Sequence, residues 1–295
     1  MATGALNPPL IVIAGPTASG KTSLAINLAL RYNGEIICAD SRSIYRHMNI
    51  GTAKPTMEER CGVPHWGLDL VEPGEPYSAA QFKEYATQKI AEIRKRGHIP
   101  FLVGGTGLYV DGIVFDFQFA SPVNSTTRQQ LEKMSISDLH QYCKKNNIQL
   151  PENKYNARYV IRTIERSGRQ STARNIPISD VFVVGIATKT EELRSRIQQR
   201  AEQLFSDNVV EEATKLGKKY GWDSEAMTGN IYALTKKYIR GEINNNELKQ
   251  LFVFSDWHLA KRQMTWFRRN PHIEWCKLES AEHYLSQILD GYVDL

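Results

Sequence analysis

The sequence predicts an α/β fold: a parallel sheet core, an inserted helical lobe and a helical C-terminal region. Three observations predict it. Four short apolar runs, Leu10–Ala14, Glu35–Ala39, Pro100–Val103 and Val181–Ile186, read as buried parallel strands. Amphipathic helical stretches alternate with them. The interval from Ala120 to Ile176 is polar and too long for a loop within a compact domain. The expected division is therefore 1–119 for the first part of the core, 120–177 for the helical insertion, and 178–295 for the rest of the core and the last helices.

The first strand runs into "GPTASGKT", residues 15–22, and then into "SLAINLALRY". This is G-x-x-x-x-G-K-[ST] between a strand and a helix, which makes the core P-loop NTPase-like. Its glycines let backbone N–H groups turn onto phosphate oxygens, and the helix N-terminus favours an anion. The cradle comprises Gly15, Pro16, Thr17, Ala18, Ser19, Gly20, Lys21 and Thr22. Lys21 brings a point charge, and Thr22 a hydroxyl for Mg²⁺ or one of its waters. The loop predicts polyphosphate binding and leaves open what is done with it. After it, Leu24, Ala25, Leu28 and Ala29 form the apolar face of the first helix.

The second strand ends at Asp40-Ser41-Arg42. Asp40 is open to three readings: structural cap, metal ligand or general base. The next helix, "SAAQFKEYATQKIAEIRKRG", starts with a capping box of Ser78 and Gln81, buries Phe82, Ala86 and Ile93, and stops at Gly97. The third strand leads to "GGTGLY", with no acid to hold Mg²⁺ for hydrolysis of a nucleoside triphosphate. Its glycines admit close backbone approach and Thr106 offers a hydroxyl, although the pattern alone reads equally well as a turn.

Residues 121–176 carry ten Lys/Arg against four Asp/Glu, an excess larger than the +5 of the whole chain. Within them "NARYVIRTIERSG" sets Arg158, Arg162 and Arg166 at i, i+4, i+8, with Val160 and Ile164 opposite. Such a stripe is either a solvated face or a nucleic-acid surface. The fourth strand ends near Thr188. The following helix buries Leu193, Ile197, Ala201 and Leu204 and carries Arg196 and Arg200 on its flank. Beyond Phe205 the chain reads as helical to its end. There "WHLAKRQMTWFRR" mixes Trp257, Trp266 and Phe267 with Lys261, Arg262, Arg268 and Arg269, suiting either a core or base stacking beside phosphates.

Bulk properties narrow the classes. With 41% hydrophobic and 23% charged residues the chain is of globular composition, and no apolar run nears the ~20 residues a membrane span needs. The start, "MATGALNPP", lacks the basic and apolar regions of a secretory signal. Four scattered cysteines form no C-x-x-C pair, so a reducing cytoplasm is expected, without disulfides or a zinc site. Cys38 reads as a small buried hydrophobe. His47, His65 and His258 lack metal-ligand spacing.

Taken in order, "GPTASGKT", "DSRSIYRHMNIGTAKP", "VPHWGLDL", "YSAAQF", "GGTGLY", "YNARYVIRTIE" and "AKRQMTWFRR" resemble the tRNA dimethylallyltransferases, or tRNA isopentenyltransferases, over about residues 10–270. The resemblance implies transfer of a dimethylallyl group from dimethylallyl diphosphate to the N6 amine of an anticodon-loop adenosine (position 37) of tRNA. Gly15 to Thr22 would then hold the diphosphate with Mg²⁺, and Asp40 would be the general base. Thr106, Lys21, Arg196 and Arg200 would complete the catalytic set. The tRNA-contacting positions carried over are Asp40, Ser41, Arg42, Ser43, Thr106, Arg128, Arg158, Tyr159, Val160, Ile161, Arg162, Lys261, Arg262 and Gln263. A bacterial-type enzyme is implied, since the chain stops soon after "TWFRR" without the zinc finger of eukaryotic relatives; a cytoplasmic monomer is expected.

Four departures from the family pattern stand out. Ser43 follows D-S-R where Gln is usual, Arg158-Tyr159 stands in place of the usual pair of polar residues in the RNA-reading helix, "TGNIYALTKKY" replaces an "IGYKE"-type segment, and "SDWHL" precedes "AKRQ" in place of a basic stretch. The competing readings are a P-loop small-molecule kinase, prenyl transfer to a free adenine nucleotide, and an RNA-binding protein with a relic loop. The missing acid at the third strand tip argues against the first. The basic insertion argues against the second, and the joint presence of Lys21, Asp40 and Thr106 against the third.

Overall fold

A computed structural model describes residues 7–119, 125–166 and 172–293. Contacts divide the chain into two compact units, one of 1–115 with 176–295 and the other of 116–175.

The first unit is built on a six-stranded parallel sheet. Its strands are β1 (Leu10–Ala14), β2 (Gly34–Cys38), β3 (His65–Trp66), β4 (Ile99–Gly104), β5 (Val181–Ile186) and β6 (Glu274–Cys276), in the order β3-β2-β4-β1-β5-β6. The four expected strands are the four central ones. β1 alternates cleanly: Leu10, Val12 and Ala14 enter one apolar layer, Ile11 and Ile13 the other. Helices α1 (Lys21–Arg31) and α11 (Leu278–Val293) cover the second layer. The first is covered by α2 (Ala79–Lys95), α3 (Gly107–Val114), α7 (Thr190–Ser206), α8 (Val209–Tyr220), α9 (Asn230–Ile239) and α10 (Asn245–Phe267). The arrangement is a three-layer sandwich whose parallel strands point their C-terminal ends, and the loops that follow them, to one edge.

The local signals behave as expected. In α2 the Gln81 amide donates to Ser78 Oγ at 3.2 Å and the Ser78 amide to Gln81 Oε1 at 2.9 Å, and Phe82, Ala86 and Ile93 are buried. Gly97 takes a φ of +76° just beyond that helix. Leu193, Ile197, Ala201 and Leu204 form the buried face of α7.

The expectation of helix throughout the C-terminal part is corrected by β6. Its three residues, "EWC", pair with β5 from Val184–Glu274 to Ile186–Cys276. An edge strand this short carries no periodicity, and its existence depends on the neighbour it joins. β3, two residues long, escaped for the same reason.

The second unit packs α4 (Ser125–Glu132), α5 (Ile136–Lys145) and α6 (Ala157–Arg166) around Leu131, Leu139, Cys143, Val160, Ile161 and Ile164. Among the described residues no helix is long and apolar enough to cross a membrane.

One charged cluster fastens the N-terminal side of the sheet. Glu35, at the start of β2 and 2% exposed, accepts from Arg96 Nε (2.9 Å) and Nη2 (2.8 Å) and from Trp66 Nε1 (2.7 Å), and lies 2.7 Å from His98 Nδ1. Burial alone would raise its pKa; the hydrogen bonds from Arg96, Trp66 and His98 outweigh it and hold the carboxyl below its usual range. Glu35→Ala is expected to cost about 2 kcal/mol in urea unfolding at pH 7, because it orphans these donors. The contribution is complete above the unfolded carboxyl pKa of about 4.3 and fades as pH falls through the lower folded value. The stability gap between wild type and variant should therefore narrow on acidification; a constant gap would contradict the assignment.

Candidate active site

The loops after β1, β2 and β4 meet the C-terminal half of α10 around a cavity of about 390 Å³. The phosphate loop supplies one wall. Gly20 sits at φ +86°, a conformation glycine adopts without strain, and opens α1 with its first amides uncapped by any side chain or acidic residue. Lys21 Nζ donates to Pro16 O at 2.9 Å. Burial pushes the Lys21 pKa down to about 8; Asp40 opposes the shift and Arg200 adds to it. Ser19 Oγ is buried without a hydrogen-bond partner among the described residues. This is a cationic, donor-lined pocket with unused capacity for an anion.

Asp40 follows β2. Its Oδ1 accepts from the amides of Arg42 (2.7 Å) and Ser43 (3.3 Å), which fixes the carboxyl in a tight turn. No hydrogen bond reaches Oδ2 among the described residues. Thr106, ahead of α3, binds the same turn: its Oγ1 accepts from the Ser41 amide at 3.0 Å and its own amide donates to Ala39 O at 3.1 Å. The structural and chemical readings of Asp40 are thus compatible, one oxygen serving each.

The glycines of "GGTGLY" have identifiable tasks. A Cβ on Gly104 would fall 2.1 Å from Ala39 O, one on Gly105 2.3 Å from Gln263 Nε2, and one on Gly107 2.1 Å from Trp266 Cδ1. The last two let α10 approach closely enough for Gln263 Oε1 to accept from the Thr17 amide at 2.8 Å. Trp266 Nε1 donates to Asp111 Oδ2 at 2.6 Å, and burial raises the Asp111 pKa to about 6.

The expected site residues sort as follows. Thr17, Lys21, Thr22, Asp40, Ser41, Arg42, Ser43, Thr106, Arg200, Arg262 and Gln263 all line the cavity. Gly15, Pro16, Ala18, Ser19 and Gly20 belong to the loop behind it. Arg42 also ties the cavity wall together, donating to Glu225 O (2.7 Å) and Thr228 Oγ1 (3.2 Å). Arg196 does not line the cavity: its Nη1 donates to Ser19 O at 3.1 Å and it pairs with Glu192, bracing the loop from outside. Lys261 is exposed and also outside the lining. Cys38, expected in the core, is half-buried and lines the cavity, with its thiol pKa pushed up to about 12 by burial and Asp40.

Within the second unit, Arg158, Tyr159 and Arg162 are exposed on α6. Val160 and Ile161, expected among the RNA contacts, are instead 0% and 4% exposed in that unit's core, as the helical period requires. Arg128 pairs with Glu132 and Glu165. The base-stacking reading of the last basic run is also corrected. Phe267 is buried, Trp266 is engaged with Asp111, and Trp257 lies under Arg194 at 4.7 Å.

Sequence reasoning passed over the groups that shape the loop "MNIGTAKP". Glu212 of α8 accepts from the amides of Asn49, Ile50 and Gly51 and from Tyr232 Oη, at 2.8 to 2.9 Å. Lys54, buried, binds Tyr45 O and Asp69 Oδ1. Gly51 makes room for Tyr232, whose ring would lie 2.6 Å from a Cβ there. The signal available was the Gly-Thr-Ala-Lys-Pro string itself, whose lysine is a structural fastener.

An anion in the cradle restores full charge to Lys21, so its binding takes up a proton wherever the free lysine is partly neutral. Affinity for inorganic diphosphate is therefore expected to weaken as pH rises through about 8. Calorimetry at pH 8.5 in buffers of different ionisation enthalpy should show the wild type taking up more protons than Lys21→Arg, a difference in which the ligand's own titration cancels. Equal buffer dependence in the two proteins would contradict the assignment.

Comparison with known proteins agrees with this geometry. The IPP transferase family profile matches residues 43–270 and the isopentenyl transferase profile residues 8–66. The chain is 38% identical to the tRNA dimethylallyltransferase of Gloeothece citriformis, covering 96% of this chain and 95% of that one. It is 36% identical to that of Anoxybacillus flavithermus, with 90% and 89% covered. The crystal structure of the full-length tRNA isopentenylpyrophosphate transferase from Bacillus halodurans superposes with a TM-score of 0.74 at 32% identity, over 97% of this chain and 98% of that one. With the cradle, the carboxylate and the threonine joined in one cavity, and relatives matching along nearly the whole length, the chain belongs to the tRNA dimethylallyltransferase family.

Proposed function

We propose that this enzyme transfers a dimethylallyl group from dimethylallyl diphosphate to the N6 amine of an anticodon-loop adenosine, position 37, of tRNA, releasing diphosphate. The observation that carries the reading is the composition of the cavity wall. A phosphate cradle opens onto a carboxylate oxygen with no hydrogen bond from the described residues, beside apolar lining from Ile36, Leu68 and Val103. An apolar wall beside the cradle suits a five-carbon hydrocarbon.

The chemistry follows from the groups present. The adenine amine is a weak nucleophile, and Asp40 Oδ2 takes its proton as the nitrogen bonds to the allylic carbon. The carbon–oxygen bond to diphosphate breaks, and the charge gathering on the leaving group meets the loop amides, Lys21 and Arg200. Thr106 holds the Asp40–Ser41 turn in register. The target base has to leave its stack to reach such an enclosed site.

Mg²⁺ fits the oxygen donors at hand. The Thr22 hydroxyl lines the cavity, and Ser19 Oγ is a buried oxygen without a hydrogen-bond partner among the described residues. Among the described residues no cluster of three or more His, Cys, Asp or Glu forms a protein cage, so the ion would be held jointly with the diphosphate. Bound there, it supplies positive charge opposite the leaving group. The exposed arginines of α6, Arg158, Arg162 and Arg166, suit the tRNA backbone.

Asp40→Asn keeps an acceptor for the Arg42 and Ser43 amides and removes the base. It is expected to lower kcat roughly a thousandfold with tRNA affinity unchanged; equal loss of both would make Asp40 purely structural. Arg162→Ala should leave donor KM unchanged and reduce the salt slope of tRNA binding by about one. An unchanged slope would remove Arg162 from the RNA surface. The rival readings are separated by offering labelled dimethylallyl diphosphate and γ-labelled ATP in parallel, with tRNA and with AMP. Label is expected to move only from the allyl donor and only to tRNA; transfer from ATP would overturn the proposal.

A further inference from the structure

The cavity holds an acidic group that the chemistry above does not use. Asp256, on α10 and 4% exposed, lines it together with Arg200 of α7 and Asn230 at the start of α9. Its Oδ1 accepts from Asn230 Nδ2 at 2.9 Å. Its Oδ2 lies 4.0 Å from Arg200 Nε, and both of these atoms are buried without a hydrogen-bond partner among the described residues. On its other side the arginine donates from Nη1 to Thr17 Oγ1 in the phosphate loop.

A buried carboxylate beside an anion cradle opposes the ligand unless it does something else. Here it faces the Nε edge of a planar guanidinium whose Nη1 is already tied to the loop. Nη1 is thereby directed by the loop, while Nε faces the carboxylate at 4.0 Å without a hydrogen bond among the described residues. Nη2 makes no hydrogen bond among the described residues and is left to meet an incoming anion.

The sequence points to the same pair. Asn230 lies in "TGNIYALTKKY" and Asp256 in "SDWHL", two of the four places where this chain departs from the pattern it resembles. They are 26 residues apart and meet in one hydrogen bond. Ser43, a third departure, lines the same cavity. Three of the four departures therefore meet at the cavity wall.

We propose that Asp256, held by Asn230, is a positioning residue that sets the Arg200 guanidinium against the phosphate loop to receive the departing diphosphate. The proposal rests on the prenyl-transfer reading. If it holds, the effect of changing Asp256 has to pass through Arg200.

The test is a double-mutant cycle in the full-length enzyme with Mg²⁺, dimethylallyl diphosphate and unmodified tRNA. D256N, close in shape, is expected to lower kcat/KM for the donor about tenfold or more while leaving KM for tRNA and the thermal midpoint unchanged. N230A should reproduce part of that loss. Combined with R200A, D256N should cost nothing further. Wild-type kinetics in D256N, or losses that multiply in the double variant, would overturn the inference. Calorimetry with inorganic diphosphate reads the same coupling without turnover. The D256N effect on Kd should differ at least about fivefold between the wild-type and R200A backgrounds, and equal effects overturn the inference. Absence of prenyl transfer by the wild type would instead strike the reading on which it rests.

Discussion

The hydrogen bond from the Thr17 amide to Gln263 Oε1, at 2.8 Å, joins the phosphate loop to α10, 246 residues further along the chain. The rest of the site depends on it, because it requires α10 to lie against the tip of β4 at a distance no side chain would permit. Gly105 and Gly107 provide that distance, each facing a side chain of α10 that a Cβ would strike. Once α10 is there, Gln263, Arg262 and Asp256 close the cavity that the loops after β1, β2 and β4 leave open. The catalytic enclosure is therefore long-range in sequence and tight in space. Interior packing of this kind tolerates little rearrangement.

Charge around this contact is divided among groups with separate tasks. Lys21 and Arg200 bring two cations to the cradle; burial is the main reason that the lysine pKa is lowered to about 8, and repulsion from Arg200 adds to it. Asp40 relieves part of that strain electrostatically while keeping one oxygen tied to its own turn. Arg196 braces the loop from behind through Ser19 O and pairs its charge with Glu192, outside the cavity. Two arginines one helical turn apart thus have different tasks, and only one lines the cavity.

Much of this was legible in the residues. The central strands, the phosphate loop, the α2 capping box and the buried faces of α1 and α7 follow from local rules of period and capping. Asp40 and Thr106 stood out by lying at strand tips, where open α/β sheets bind ligands. What escaped was decided by partners distant in the chain. β3 and β6 exist through the neighbours they pair with. The aromatics of "WHLAKRQMTWFRR" are packing and hydrogen-bonding groups because of Asp111 and Arg194, which no pattern on α10 reveals. Val160 and Ile161 were carried into the RNA-contacting set by alignment, although the helical period already assigned Val160 to the inner face. Glu212, Lys54 and Asn230 act through long-range hydrogen bonds that sequence spacing does not encode.

The central claim is that the glycine-lined cradle holds a diphosphate leaving group while Asp40 activates an adenine amine. It is tested most directly by incubating the purified enzyme with Mg²⁺, dimethylallyl diphosphate and unmodified tRNA, then digesting the tRNA and measuring its nucleosides by mass spectrometry. The account predicts one anticodon-loop adenosine heavier by a single prenyl group, with diphosphate released in equal amount. Unaltered adenosine in a folded enzyme that binds both substrates would contradict it.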